Sequence, residues 1–160
     1  MKTTILFDLD GTLIDSMPHH LASWKKACAA YGIFMDVDYL SRHAGTPGWL
    51  IAEELVRSNG LVGKVSSEQI IGLKSTYYAE MQKSIKPVYP VVEIVKKYHG
   101  ILPMSVGTGG NRATVERSLE VTGLSDYFDI LVTASDIDNF KPHPETFLKC
   151  AEAMGVDPSE

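Results

Sequence analysis

Leu6-Phe7-Asp8-Leu9-Asp10-Gly11-Thr12 sets two carboxylates, separated by one residue, at the end of an apolar run. The run itself, Thr3 to Phe7, is short and β-prone, of the kind that forms a strand buried on both faces. Gly11-Thr12 then breaks it. Side chains alternate faces along a strand, so Asp8 and Asp10 share a face while Leu9 points away. Two acids at the C-terminal end of a buried strand sit where an open α/β sheet places its ligand site. The same residues also admit a plainer reading, a turn at Asp10-Gly11 with Asp8 capping the next element.

The chain of 160 residues suffices for one ordinary domain, or for a core carrying a modest insert. Its formal net charge of −5, with no cluster of Lys and Arg, argues against nucleic acid as a partner. No apolar run approaches the roughly 18 residues of a membrane span, so no membrane partner is expected. Lys2 and the short apolar run behind it lack a signal-peptide layout. Cys28 and Cys150 fall in helix-like stretches with no second Cys or His at ligand spacing. They read as buried reduced thiols in a cytoplasmic protein.

Ser16-Met17-Pro18 reads as a helix start, followed by Leu21, Trp24, Ala27, Cys28 and Tyr31 at helical spacing, with Gly32 as the stop. A short segment surrounds Tyr39 and Leu40. Thr46 then caps, and Pro47 starts, a second helix that ends at Gly60. Ser66 or Ser67 starts a third, with Ile70, Leu73, Tyr77 and Met81 expected as its buried stripe. Nothing from Ser16 to Ile85 reads as a strand. Residues 16–85 are therefore expected to form a helical insert, and residues 1–15 and 86–160 the core. Lys86-Pro87-Val88-Tyr89-Pro90 is stiff and helix-averse, a hinge between the two. Beyond it helices alternate with strands at Ile101 to Val106 and Asp129 to Thr133, which implies an α/β fold with a parallel, Rossmann-like sheet.

Three polar points follow the expected strands: Asp8 with Asp10, Thr108 with Gly109 and Gly110, and Lys141. The C-terminal ends of parallel strands share one edge, so these points can converge across the sequence. Together they suit a phosphoryl group. Asp8 offers a carboxylate nucleophile, and Thr108 a hydroxyl. Gly109 and Gly110 offer N–H groups that no side chain shields, and Lys141 offers a positive charge. An anion attacking an anion calls for a divalent cation, and the hard oxygens of Asp8 and Asp10 suit Mg2+. A phospho-acceptor signalling domain fits less well, because it keeps its acceptor Asp on a middle strand and has no long helical insert. Gly107-Thr108-Gly109-Gly110 also lacks the Gly-Lys-Ser/Thr ending of a nucleotide-binding P-loop.

On Asp8-Leu9-Asp10-Gly11-Thr12, Val106-Gly107-Thr108 and Lys141-Pro142, the chain resembles the haloacid dehalogenase-like hydrolase superfamily. The insert resembles the helical cap of its sugar-phosphate phosphatase and β-phosphoglucomutase branch. The resemblance implies Asp8 as nucleophile and Asp10 as the acid that protonates the leaving group and then activates water. Asp10 also implies ester chemistry, since relatives that cleave C–Cl or P–C bonds replace this residue. The expected reaction is Mg2+-dependent hydrolysis of a small phosphorylated sugar by a monomer or weak dimer.

His20 is either a substrate-side residue, as the resemblance implies, or an ordinary helix imidazole. The loop His43-Ala44-Gly45-Thr46-Pro47-Gly48-Trp49 matches the specificity loop of the cap. Mutases of this pattern carry a Lys and an Arg there to grip a second phosphate. Ala44 and Gly48 stand in their place, which favours a phosphatase acting on fructose 1-phosphate or 6-phosphogluconate over a mutase. Thr46 and Trp49 are then substrate-side candidates, although Trp49 has an equal reading as packing between cap and core. Asn111 reads as a helix cap or a substrate contact, and Asp136 and Asp138 as solvated. The family completes its metal site with further acids after a fourth strand. Glu160 comes before any such strand, so we expect a fragment, inactive and merely phosphate-binding if the chain truly ends there.

Overall fold

The computed structural model describes residues 3–43 and 45–158, so Ala44 lies outside the described residues. Three parallel strands form its sheet: β1 (Ile5–Phe7), β2 (Met104–Gly107) and β3 (Ile130–Val132), in the order β1-β2-β3. Phe7 pairs with Val106, and Val106 with Leu131, so the strands end nearly level. All of β2 is buried, as the centre of a parallel sheet requires. The expected strands were longer. Ile101 and Leu102 instead close a turn on the carbonyl of Tyr98, which keeps exposed Ile101 outside the sheet.

Helices α1 (Met17–Ala29), α2 (Val37–Arg42), α3 (Gly48–Ser58) and α4 (Ser67–Gln82) fill the stretch between the first two strands. Helices α5 (Tyr89–Tyr98), α6 (Arg112–Val121) and α7 (Glu145–Ala153) accompany the sheet. Ser66 and Gln69 form a reciprocal capping box that starts α4. Pro47, rather than Thr46, occupies the cap position of α3, with no side-chain bond to close it.

Three apolar clusters result among the described residues. One includes Trp24, Cys28, Ile51, Leu55 and Ile70 from the helical insert, a second packs Phe7, Leu13, Val106, Val115 and Leu119 around the sheet, and a small third joins Val132, Ile137 and Cys150. Both cysteines are free and buried. The buried stripe of α4 differs from the expected one. It is Ile70, Lys74, Tyr78 and Gln82, four residues apart, and two of the four are polar. Gln82 Nε2 finds partners in the Thr114 carbonyl and Ser118 Oγ, both at 2.8 Å, and so ties α4 to α6.

The two chain crossings into and out of the insert lie side by side. Asp15 N–H donates to Lys86 O, and Val88 N–H to Leu13 O, each at 2.8 Å. Leu13 and Ile14 are completely buried at this crossing. We expect Ile14→Ala to destabilise the protein by about 2–5 kcal/mol, the cost of removing a buried branched side chain that cannot be replaced by collapse. Urea unfolding measures it directly, and a loss below about 1 kcal/mol would show that the crossing is loosely packed.

Candidate active site

The chain leaves β1 at Asp8 and turns back at once. The carbonyl of Leu9 accepts from the N–H groups of Thr12, Leu13 and Ile14, while Gly11 takes a φ of 77° that an L side chain rarely adopts. Leu9 is buried, so the turn leaves Asp8 and Asp10 partly accessible. Lys141 reaches this point from the far end of the sequence. Its Nζ lies 2.6 Å from Asp8 Oδ1 and donates at 3.0 Å to Gly107 O, the last residue of β2. One ammonium thus spans the ends of two neighbouring strands.

Thr108, directly after β2, is buried. Its N–H donates to Val132 O at 2.9 Å, and its Oγ1 accepts from Gly110 N at 3.1 Å. The Gly110 N–H is therefore turned onto Thr108 rather than presented to a ligand. Gly109 has a different reason to be glycine. A Cβ there would lie 2.5 Å from the carbonyl oxygen of Gly45 in the 43–49 loop. Asn111 accepts from Ala113 N at 3.1 Å and caps α6, the first of its two readings.

Asp10 is held from the helical insert. Ser16 Oγ donates to Asp10 Oδ1 at 2.5 Å, and His20 Nε2 lies 3.1 Å from the same oxygen. Lys74 Nζ stands 3.0 Å from His20 Nδ1. A lysine ammonium only donates, so Nδ1 must accept and the imidazole proton sits on Nε2, facing Asp10. Tyr78 stacks on the imidazole at 4.3 Å, and Lys74 lies over the Tyr78 ring. Burial lowers the His20 pKa and Lys74 adds to it, against the pull of Asp10, so the ring is neutral. Burial alone would raise the Asp10 carboxyl. Its bonds to His20 and Ser16, with the Lys74 charge nearby, outweigh that and hold it below the usual carboxylate range. Lys74, only 9% exposed, has its own pKa pushed down to about 8 by burial, with Asp10 opposing.

Lys74 was not among the residues expected from sequence. It sits four residues from Ile70 and from Tyr78, a charge on an otherwise apolar stripe, and that position was the available signal. Trp49 meets Phe140 edge-on with centroids 6.1 Å apart, so its packing role has a partner, while the residue remains 47% exposed. Gly45 rests against the Lys141 stem. Thr46 is half-buried, its N–H donating to His43 O at 3.0 Å. A Cβ on Gly48 would meet Ile71 at 2.6 Å and Trp24 at 3.6 Å. Position 48 therefore faces the helical cluster, where a side chain would have to displace the terminal methyl of Ile71 on α4. Asp136 corrects the solvated reading, since its carboxylate accepts from Thr133 N, Thr133 Oγ1 and Arg112 at 2.7 Å each.

The family model described as haloacid dehalogenase-like hydrolase matches residues 5–160. The fructose-1-phosphate phosphatase YqaB of Escherichia coli K12 is 35% identical over 159 residues, which cover 98% of this chain and 82% of that one. The crystal structure of a hydrolase from Pseudomonas syringae aligns with a TM-score of 0.83 at 28% identity, over 98% of this chain and 72% of the other. A β-phosphoglucomutase from Clostridium difficile shares the fold, with a TM-score of 0.82 at 24% identity over 99% and 74% of the two chains.

The depressed pKa of Lys74 has a consequence for stability. Below about pH 8 the folded chain carries the full cost of a buried ammonium. Between there and the ordinary lysine value the unfolded chain holds a proton that the folded one sheds, so stability rises with pH. We expect the difference in stability between the native protein and Lys74→Met to move in favour of the native protein across this window, by up to about 1 kcal/mol per pH unit. Urea unfolding of both from about pH 7.5 to about pH 10 reads it, and parallel profiles would contradict the burial of that charge.

Proposed function

The chain belongs to the haloacid dehalogenase-like hydrolases, and on that premise we propose that it is a phosphoric monoester hydrolase acting on small phosphorylated sugars, by way of a phosphoenzyme on Asp8. The observation that carries this reading is the convergence of Asp8, Lys141 and the end of β2 on one point, with Asp10 held beside it. The relationship to a fructose-1-phosphate phosphatase supports the substrate class.

In the first step an Asp8 carboxylate oxygen forms a bond to phosphorus as the bond from phosphorus to the sugar oxygen breaks. The departing alkoxide takes its proton from Asp10. In the second step Asp10 accepts a proton from water, the water oxygen bonds to phosphorus, and the Asp8–phosphoryl bond breaks to give phosphate. Asp10 rests ionised, as its lowered pKa requires, which suits the second step. The arrival of a phosphoryl anion raises its pKa and prepares it for the first. Lys141 balances negative charge on Asp8 and on the phosphoryl oxygens, while Ser16 and His20 fix the angle of Asp10.

Asp8 and Asp10 are the residues that would hold Mg2+. Among the described residues no group of three or more His, Cys, Asp or Glu could hold a metal ion. Two hard carboxylates, completed by water and by the substrate phosphate, nonetheless fit the way this ion is usually bound. The ion would supply charge neutralisation between carboxylate and phosphoryl group. The helical stretch 16–85 acts in this reading as a cap whose 43–49 loop selects the sugar, while 1–15 and 86–160 supply the phosphoryl chemistry.

Asp8→Asn keeps the volume and removes the nucleophile. We expect it to lower turnover by on the order of a thousandfold or more with the circular dichroism unchanged. A panel of fructose 1-phosphate, 6-phosphogluconate and β-glucose 1-phosphate with glucose bisphosphate, assayed with Mg2+, tests the substrate class. Phosphate release from the sugar monophosphates is the expected result. Isomerisation of the glucose phosphate in place of release, or full activity in Asp8→Asn, would overturn the proposal.

A further inference from the structure

We propose that Glu145 is a positioning residue for the reaction, its carboxylate clamping the turn at residues 138–139 so that Lys141 is delivered onto Asp8. The segment between the Thr133 end of the sheet and α7 has no regular structure around Lys141, yet its ammonium must stay within bonding distance of Asp8 and Gly107. Something must hold the backbone that carries it. Glu145, the first residue of α7, does so with both oxygens. Oε1 accepts from Asp138 N at 2.9 Å, and Oε2 accepts from Asn139 N at 2.9 Å and from Asn139 Nδ2 at 2.7 Å. Two consecutive N–H groups aimed at one carboxylate make an anion-binding turn, and the N-terminus of α7 adds its own favourable field.

The same helix holds the segment a second time, where Lys149 Nζ donates to Asp136 O at 2.5 Å and lies 3.8 Å from Glu145 Oε1. Two residues after Asn139, Lys141 leaves this clamped turn. His143 N–H closes back on Phe140 O at 3.0 Å, so Lys141 sits within a loop fastened on both sides. The backbone bonds from Asp138 and Asn139 and the Asn139 amide hold the Glu145 carboxyl down at about 2, so the clamp is charged at any working pH. Glu145 itself touches none of the groups expected to meet substrate. Its influence runs through the position of Lys141, whose displacement by even about 1 Å costs on the order of a hundredfold in such sites.

Two measurements on the intact protein test this. Crystal structures of Glu145→Ala and Glu145→Gln report whether Lys141 Nζ remains on Asp8 and Gly107. A double-mutant cycle with Lys141→Ala reports whether Glu145 acts through that lysine. Glu145→Ala is expected to move Nζ away and to lower kcat by about tenfold to a hundredfold, but by less than about twofold once Lys141 is already gone. Glu145→Gln keeps the shape and one accepting oxygen, so it gives a smaller loss, and it carries both readouts if the alanine variant does not fold. Only the turnover arm rests on the phosphatase reading. A protein inactive on every sugar phosphate would overturn that reading and leave the crystallographic arm to decide this one. Nζ unmoved in the variants, or an equal loss in both backgrounds, would overturn the proposal.

Discussion

The ion pair between Lys141 and Asp8 joins groups 133 positions apart in the chain, and the rest of the fold is arranged so that they can meet. Neither residue lies within a strand. Asp8 directly follows β1, whose end is set by parallel pairing, while Lys141 lies in the irregular segment between β3 and α7. Parallel register brings all such ends to one edge, where the Lys141 ammonium also donates to the last carbonyl of β2. A nucleophilic carboxylate left without that charge would face a phosphoryl anion unaided.

The second carboxylate is controlled from the opposite direction, out of the helical insert. Lys74, the neutral His20 imidazole, and Asp10 form a chain in which positive and negative charge are separated by one ring. Burying an ammonium such as that of Lys74 costs several kcal/mol unless hydrogen bonds return most of it. Here the donors are matched one by one, Lys74 to Nδ1 and Nε2–H to Asp10, with Ser16 on the same carboxylate oxygen. Because α1 and α4 supply these donors while the loop after β1 supplies Asp10, any shift of the insert relative to the sheet changes how Asp10 is held. Gln82, bonded to α6, and the crossing at Leu13 and Ile14 limit such shifts.

The places of Asp8, Asp10 and Thr108 just after β1 and β2 were legible because abrupt polarity after a β-prone run is a one-dimensional signal. The helical insert was legible for a similar reason, as apolar spacing bounded by caps and glycines. Lys74 was not, because the expected stripe of α4 followed apolar residues only and settled on Leu73 and Tyr77, one position short of the buried Lys74 and Tyr78. Glycines answer to packing as well as to chemistry. Gly48 and Gly109 read as places where a charge is missing or a phosphate can approach. Their surroundings show packing against Ile71 and against the Gly45 carbonyl, contacts between segments distant in sequence. Gly110 likewise spends its N–H on Thr108, a bond that depends on the local turn and that spacing alone does not reveal.

Passage of phosphate through a covalent bond to Asp8 is what acid-quenched single turnover with a radiolabelled sugar phosphate detects. Label is expected on the protein before free phosphate accumulates, mapped to Asp8 in the peptide that contains Asp8 and Asp10. Release of phosphate with no labelled protein at any time, or label on a residue other than Asp8, would contradict it.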